Sequence, residues 1–245
     1  LALAANTGSN NTAVGNGALN ANTTGANNTA VGYNALYTNT TGVSNAAFGY
    51  QALYANTTGS QNVAVGEQAL QNSTTAVNNT AIGFCSAPVN QSDNNTSLGS
   101  LSLLVNSSGN NTTAIGASSL VANTTGISNT AVGYRALCSN TIGSSNIGIG
   151  VTAGSSVTTG VNNTIIGALA GTAGLSDTVL IGAGTTERLK VDATGLYVNG
   201  PYPDRGEFTM VWDFDGNEPT QGYVDRLIGM IQAGRLKTVN EHMLA

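Results

Sequence analysis

The chain has 245 residues, of which 8% are charged and 5% aromatic, and its net charge is −5. A typical soluble domain is about one-quarter charged, so this is not the surface of an ordinary globular enzyme. The absence of a basic run removes the footprint expected for nucleic acid or anionic lipid, and no apolar stretch approaches the ~18 residues of a bilayer span.

Read from its first residue, the chain is already inside a repeat. Ala2, Leu3 and Ala5-Asn6-Thr7-Gly8 match the tail of the unit that follows, which predicts that further residues precede Leu1. The clearest column is a glycine after a small–apolar pair: Gly15, Gly32, Gly49, Gly66, Gly83, Gly99, Gly116, Gly133, Gly150, Gly167 and Gly182. Of these ten intervals eight are 17 residues, one is 16 and one is 15. A strict period of this length signals stacked coils, because a unit so short cannot bury a core alone.

Each unit offers two strand-like pieces, such as Asn28-Thr29-Ala30-Val31-Gly32 and Tyr33-Asn34-Ala35-Leu36, and then the turn chemistry of Asn39-Thr40-Thr41-Gly42. The expected fold is all-β: a parallel β-solenoid of about eleven coils over residues 1–183, on the order of 50 Å long at the ~4.8 Å strand spacing. Columns of identical residues then become ladders, and Asn11, Asn28, Asn45, Asn62 and Asn79 are placed to hydrogen-bond up the stack. The short interval between Gly83 and Gly99, with Pro88 and Asp93, predicts an irregular coil, and the last interval, near Asp177, a closing one.

Side chains alternate faces along a strand. A bulky column (Val14, Val31, Phe48, Val65, Ile82, Leu98, Ile115, Val132, Ile149, Ile166) therefore lies opposite a column that is mostly Ala. Both faces are apolar, as in parallel strands buried on two sides. A thin coil covers one face with its own interior, and the simplest cover for the other is another subunit. A homotrimer about the fibre axis is the preferred assembly, and a monomer with an exposed stripe the weaker one. Tyr33, Tyr37, Tyr50, Tyr54 and Tyr134 share the columns after Gly and after Leu; they suit a stacked ladder at a subunit interface or, less simply, a sugar-stacking surface. Cys85 and Cys138 fall in different columns three coils apart, ~14 Å along the stack, too far for an intrachain disulfide.

Charge returns after Gly182, with six basic and nine acidic residues, and marks residues 184–245 as a separate region. Residues 187–199 read as two strands around Ala193-Thr194-Gly195, and Phe208 to Phe214 as a half-buried strand before a turn at Asp215-Gly216. Val224, Leu227, Ile228 and Ile231 have helical spacing within Tyr223–Leu236. A small α+β cap would cover the last coil's open edge; the sharper reading is a receptor-binding or docking tip, with Tyr202, Trp212, Phe214 and Tyr223 as candidate contacts.

Signals of catalysis do not hold up. Gly148-Ile149-Gly150-Val151-Thr152-Ala153 matches the dinucleotide fingerprint in letters only, since it sits in repeat register without a following helix. Asp213 to Glu218 lacks the glycine position and closing Glu of an EF-hand loop. His242 is the single histidine, four residues from the end, which argues against a triad. The repeats hold three acids, Glu67, Asp93 and Asp177, at unrelated coil positions, and give no carboxylate pair for glycan hydrolysis. No catalytic, metal or cofactor site is assigned.

The Asn28 to Gly32 unit resembles the S-V-A-I-G motif of the head domains of trimeric autotransporter adhesins. The longer unit, N-T-A-V-G-Y-x-A-L-x-x-N-T-T-G, is similar to repeats of bacteriophage tail-fibre and related virion-fibre proteins, over residues 2–182. Thr185 to Val198 resembles the T-E-R-M-R-I-D-x-x-G-x-V segment that in many phage fibres precedes a self-cleaving chaperone, which would make Ala245 a mature end; the equal alternative is that the chain simply stops there. The resemblance implies a left-handed β-roll, a homotrimer, and a structural and adhesive role on a virion, with other virion proteins and a host receptor or glycan as partners. A bacterial cell-surface adhesin is the alternative. An ice-binding solenoid, prompted by Thr pairs at 23/24, 40/41, 57/58 and 124/125, is a third reading; adjacent threonines point to opposite faces, which counts against it.

Overall fold

The computed structural model describes residues 1–202 and 206–212, with side chains through residue 197. Its shaft is a parallel β-solenoid of about ten turns, and no helix occurs among the described residues. Each turn contributes one three-residue strand: β1 Thr12–Val14, β2 Thr29–Val31, β3 Ala46–Phe48, β4 Val63–Val65, β5 Thr80–Ile82, β6 Thr96–Leu98, β7 Thr113–Ile115, β8 Thr130–Val132, β9 Ile147–Ile149 and β10 Thr164–Ile166. The longer β11, Val179–Ala183, closes the parallel stack. Three antiparallel strands extend the same sheet: β12 Thr186–Asp192, β13 Gly195–Tyr202 and β14 Gly206–Trp212. Strand pairing follows the repeat, with Thr12 opposite Thr29 and Ala30 opposite Ala47.

The second strand-like piece is not a strand. In the Tyr33 to Leu36 segment Asn34 and Leu36 have φ of 54° and 50°, and the same left-handed pair recurs at Gln51/Leu53, Gln68/Leu70 and Arg135/Leu137. Left-handed geometry at a non-glycine residue costs on the order of 1–3 kcal/mol. The offset is visible in the same residue, because Leu36, Leu53, Leu70, Leu103, Leu120 and Leu137 are all fully buried. Curling the backbone is what turns the leucine inward, to pack with the central strand alanines Ala30, Ala47, Ala64 and Ala81 in one narrow core.

Two asparagine ladders line that core. In the column that precedes each strand, the side-chain oxygen of Asn11 accepts the backbone N–H of Asn28 at 2.9 Å, and Asn28 accepts that of Asn45 at 2.9 Å. The Nδ2 of Asn28 donates to the Gly42 carbonyl at 2.8 Å, tying the start of the coil to its far corner. The second ladder runs through that corner. Asn39 donates to the Asn22 oxygen at 2.7 Å and to the Gly42 carbonyl at 3.1 Å; Asn56 donates in turn to Asn39 at 2.7 Å. Glycine is required beside it: a Cβ on Gly42 would lie 2.4 Å from the Asn39 oxygen and 2.4 Å from the Gly59 carbonyl.

The irregular coil keeps its path by changing its interior. Ala87 stands where neighbouring coils have Leu70 and Leu103, and the buried Ser86, Ser97 and Ser102 hydrogen-bond one another across the coil at 2.6–3.3 Å. Asp93 satisfies the Val77 N–H at 2.8 Å. At the closing end, Gly154 takes the leucine position and Val157 the asparagine position, and the buried Ile165, Leu169 and Leu180 fill the core instead.

The two strands expected over 187–199 are β12 and β13, and the strand expected near Phe208 is β14. β12 pairs with β11 and so covers the last coil's sheet edge, with a register shift at Ile181/Gly182. The helical spacing of Tyr223–Leu236 and the turn at Asp215-Gly216 lie outside the described residues.

Candidate functional site: the outward strand face

A three-residue strand presents its middle side chain to one face and its two ends to the other. Here the middle column is inward, and Ala30, Ala47, Ala64, Ala81, Ala114 and Ala131 are fully buried. The end columns are outward. One is mostly Thr; the other is the bulky column, and it remains substantially exposed: Val14 58%, Phe48 40%, Ile82 40%, Ile149 41%. The sequence pattern shows that both faces are apolar, and the coordinates establish which of them the chain leaves uncovered.

The glycine column sets the corner that borders this face. Gly32 has φ of 138°, and a Cβ there would lie 2.4 Å from the Gly49 carbonyl oxygen, so the chain turns its corner at closest backbone approach in every coil. Just past the corner stand aromatic residues. Tyr33 stacks on Tyr50 with centroids 5.5 Å apart, and Tyr37 on Tyr54 at 5.4 Å, each within about 10° of parallel. Tyr134 is exposed without joining these stacks. Across β1–β11 the outward columns hold no charged residue.

The face continues beyond the shaft. Val179 and Ile181 of β11 point outward on either side of the buried Leu180. They pair with Val191 and Leu189 of β12, and Val191 pairs with Leu196 of β13. Directly opposed residues of antiparallel strands share a face, so Leu189, Val191 and Leu196, all half-buried, prolong the apolar stripe.

The other face changes character. Leu180 pairs with Lys190, which pairs with Tyr197. Lys190 lies 2.6 Å from the Asp192 carboxylate and 5.2 Å from the Tyr197 ring centroid. Asp192 also accepts the Thr194 N–H at 2.9 Å, which orders the hairpin turn. The Lys190 ammonium, followed by the Thr194 hydroxyl, holds the Asp192 carboxyl down to about 2; the same contact raises Lys190.

Of the four candidate tip contacts, Tyr202 and Trp212 end β13 and β14. The register pairs Tyr202 with Gly206 and Trp212 with Leu196, so the backbone sets them at opposite ends of that strand pair, six residues apart along β13. Phe214 and Tyr223 lie outside the described residues. Cys85 and Cys138 are both free thiols; burial and the nearby Glu67 carboxylate raise that of Cys85. Gly148 to Ala153 belongs to β9 and the turn after it, in coil register. No group of three metal-ligating side chains converges among the described residues, and no helix there is long and apolar enough to cross a membrane.

Sequence reasoning missed the second asparagine ladder, although its Asn-x-x-Gly spacing is legible at Asn22/Gly25, Asn39/Gly42 and Asn56/Gly59. Comparison with protein-family models, with curated proteins and with solved structures gives no match.

Proposed function

We propose that this chain is the shaft of a homotrimeric fibre: a structural and adhesive protein of a phage virion, holding out a C-terminal docking or receptor-binding element for host attachment. The observation that carries the reading is the uncharged, apolar, half-exposed outward stripe, repeated at every strand from β1 to β11. An exposed apolar band this continuous is rare on a monomer and marks an interaction face. Its partner is best matched by another copy, since only a coil of the same rise meets each 4.8 Å step. The virion setting and the trimer number rest on the resemblance of the repeat unit and of the Thr185 to Val198 segment to phage fibres.

Charge on the stripe tests this reading. Val65 and Val132 are outward and partly exposed in separate coils, so a Val65→Asp, Val132→Asp chain can fold alone with both carboxylates in water. The expected result is loss of the oligomer with the far-ultraviolet β signal retained; an oligomer of unchanged mass contradicts the reading.

One observation favours a second reading, ice binding. In the Thr pairs, the first hydroxyl is committed to the next coil, as Thr40 to the Thr57 carbonyl at 3.0 Å and Thr124 to the Thr141 carbonyl at 3.0 Å. In the outward strand column, Thr80, Thr96, Thr113 and Thr130 instead carry hydroxyls in four successive coils without hydrogen bonds among the described residues, a run bounded by Val63 and Ile147. A monomer showing thermal hysteresis would favour this reading, and an oligomer that buries the stripe excludes it.

A further inference from the structure

We infer that the antiparallel hairpin β12–β13 is part of the interface between copies, packing through Leu189, Val191 and Leu196 against the same hairpin of a second copy in parallel orientation. The inference rests on the fibre reading above and extends it past the repeats.

The ground is an inversion of faces at the end of the shaft. Inside the coils the inward face is the core and the outward face is apolar and open. At β12 the inward column passes from buried Leu180 to Lys190 and Tyr197, tied to Asp192 by an ion pair. That face no longer encloses a core and is polar. The outward column shows no such switch: Val179 and Ile181 are followed by Val191 and Leu189, and then by Leu196. A hairpin whose task was only to cover the last coil would keep apolar residues over the core and place charges outward. The opposite arrangement holds, so what covers the shaft stripe also covers the hairpin.

Size points the same way. Three-residue strands span about 10 Å, and ten of them with the longer β11 stack to about 50 Å, or roughly 500 Å² of face. A standard interface needs about 800 Å² per partner. Two further strands, of seven and eight residues, add on the order of 200 Å² at the same spacing. Orientation follows from polarity along the rod. Side-by-side copies running in parallel set hairpin against hairpin, apolar on apolar. Antiparallel copies would set the hairpin beside β1, and in register they would match strands of unequal length.

The test uses single cysteines in the full chain with Cys85→Ser and Cys138→Ala. Val191→Cys lies on the outward face, Lys190→Cys on the opposite face, and Val132→Cys in the shaft stripe. A short bis-maleimide is added, and the mass is measured before and after cross-linking. The expected result is an oligomer in which Val191→Cys and Val132→Cys each cross-link copies at least tenfold more than Lys190→Cys. Two outcomes overturn the inference while leaving the fibre reading intact: cross-linking at Val132→Cys alone, or equal cross-linking at Val191→Cys and Lys190→Cys. A monomeric mass with no cross-linking at any position overturns the fibre reading itself.

Discussion

The corner at Asn39 and the corner two coils further on are built differently. Asn39-x-x-Gly42 and Asn56-x-x-Gly59 are links of a continuous amide ladder, whereas the next coil has Ser73-x-x-Ala76. The exchange preserves volume, because a methyl group appears at the glycine position as the amide is lost. It does not preserve hydrogen bonding: the Asn56 oxygen and the Ser73 hydroxyl are buried without partners among the described residues. The ladder resumes from Asn90 through Asn106, Asn123 and Asn140, and stops where Val157 leaves the Asn140 oxygen unpaired. An apolar core needs only the right volume from its neighbour, while an amide ladder needs the same residue in the next coil.

The largest expected effect is at an intact corner. Asn39→Ala strips the donor from the Asn22 oxygen and one of two acceptors from the Asn56 amide, while the Gly42 carbonyl keeps the Asn28 amide. At about 1–3 kcal/mol for the buried Asn22 oxygen left unsatisfied, and about 1 kcal/mol for the hydrogen bond lost at Asn56, the loss should be roughly 2–4 kcal/mol by denaturant titration. Ser73→Ala, in the same column, removes a hydroxyl that has no partner, and should be neutral or slightly stabilising. Equal losses at the two positions would show that the ladder contributes no more than packing.

A coupled substitution sharpens the same contrast. Gly42→Ala alone forces a methyl group against the Asn39 oxygen and the Gly59 carbonyl, and should cost about 2–3 kcal/mol as an overpacked core position. Combined with Asn39→Ser it recreates the natural Ser73/Ala76 arrangement. A double-mutant cycle should then return a favourable coupling of about 1–2 kcal/mol; simple additivity would contradict the view that the corner is one unit.

The smallest expected effect separates shaft from hairpin. Asp192 is held at about 2, below its ordinary 3.8. Its contribution is therefore complete above about pH 4 and disappears as pH falls through about 2. The amide ladders do not titrate. Hydrogen exchange at low pH should thus show the β12–β13 turn loosening while the coils around Asn39 remain protected. Simultaneous loss of both would contradict this separation.

Much of the fold was legible because the sequence writes it repeatedly. The Gly15 to Gly182 column establishes the period, the Asn11 to Asn79 column the first ladder, and the alternation in Thr29-Ala30-Val31 the two faces of the strand. The Tyr33 to Leu36 segment was misread as extended, since apolar alternation does not distinguish a strand from a run of alternating left-handed residues. For the candidate site, two apolar faces could be recognised, but not which one the chain buries. That depends on the curl at Leu36, which commits the Ala30 side to the interior. The continuation onto Leu189 and Val191 was hidden for another reason: it depends on the antiparallel register of β11 with β12, which no periodicity announces.

The central claim is that the outward stripe lies between copies of this chain. Sedimentation equilibrium of the purified protein measures it most directly. For a chain of 24.5 kDa, the account predicts a species of three times that mass, stable on dilution. A stable species of one chain mass would contradict it.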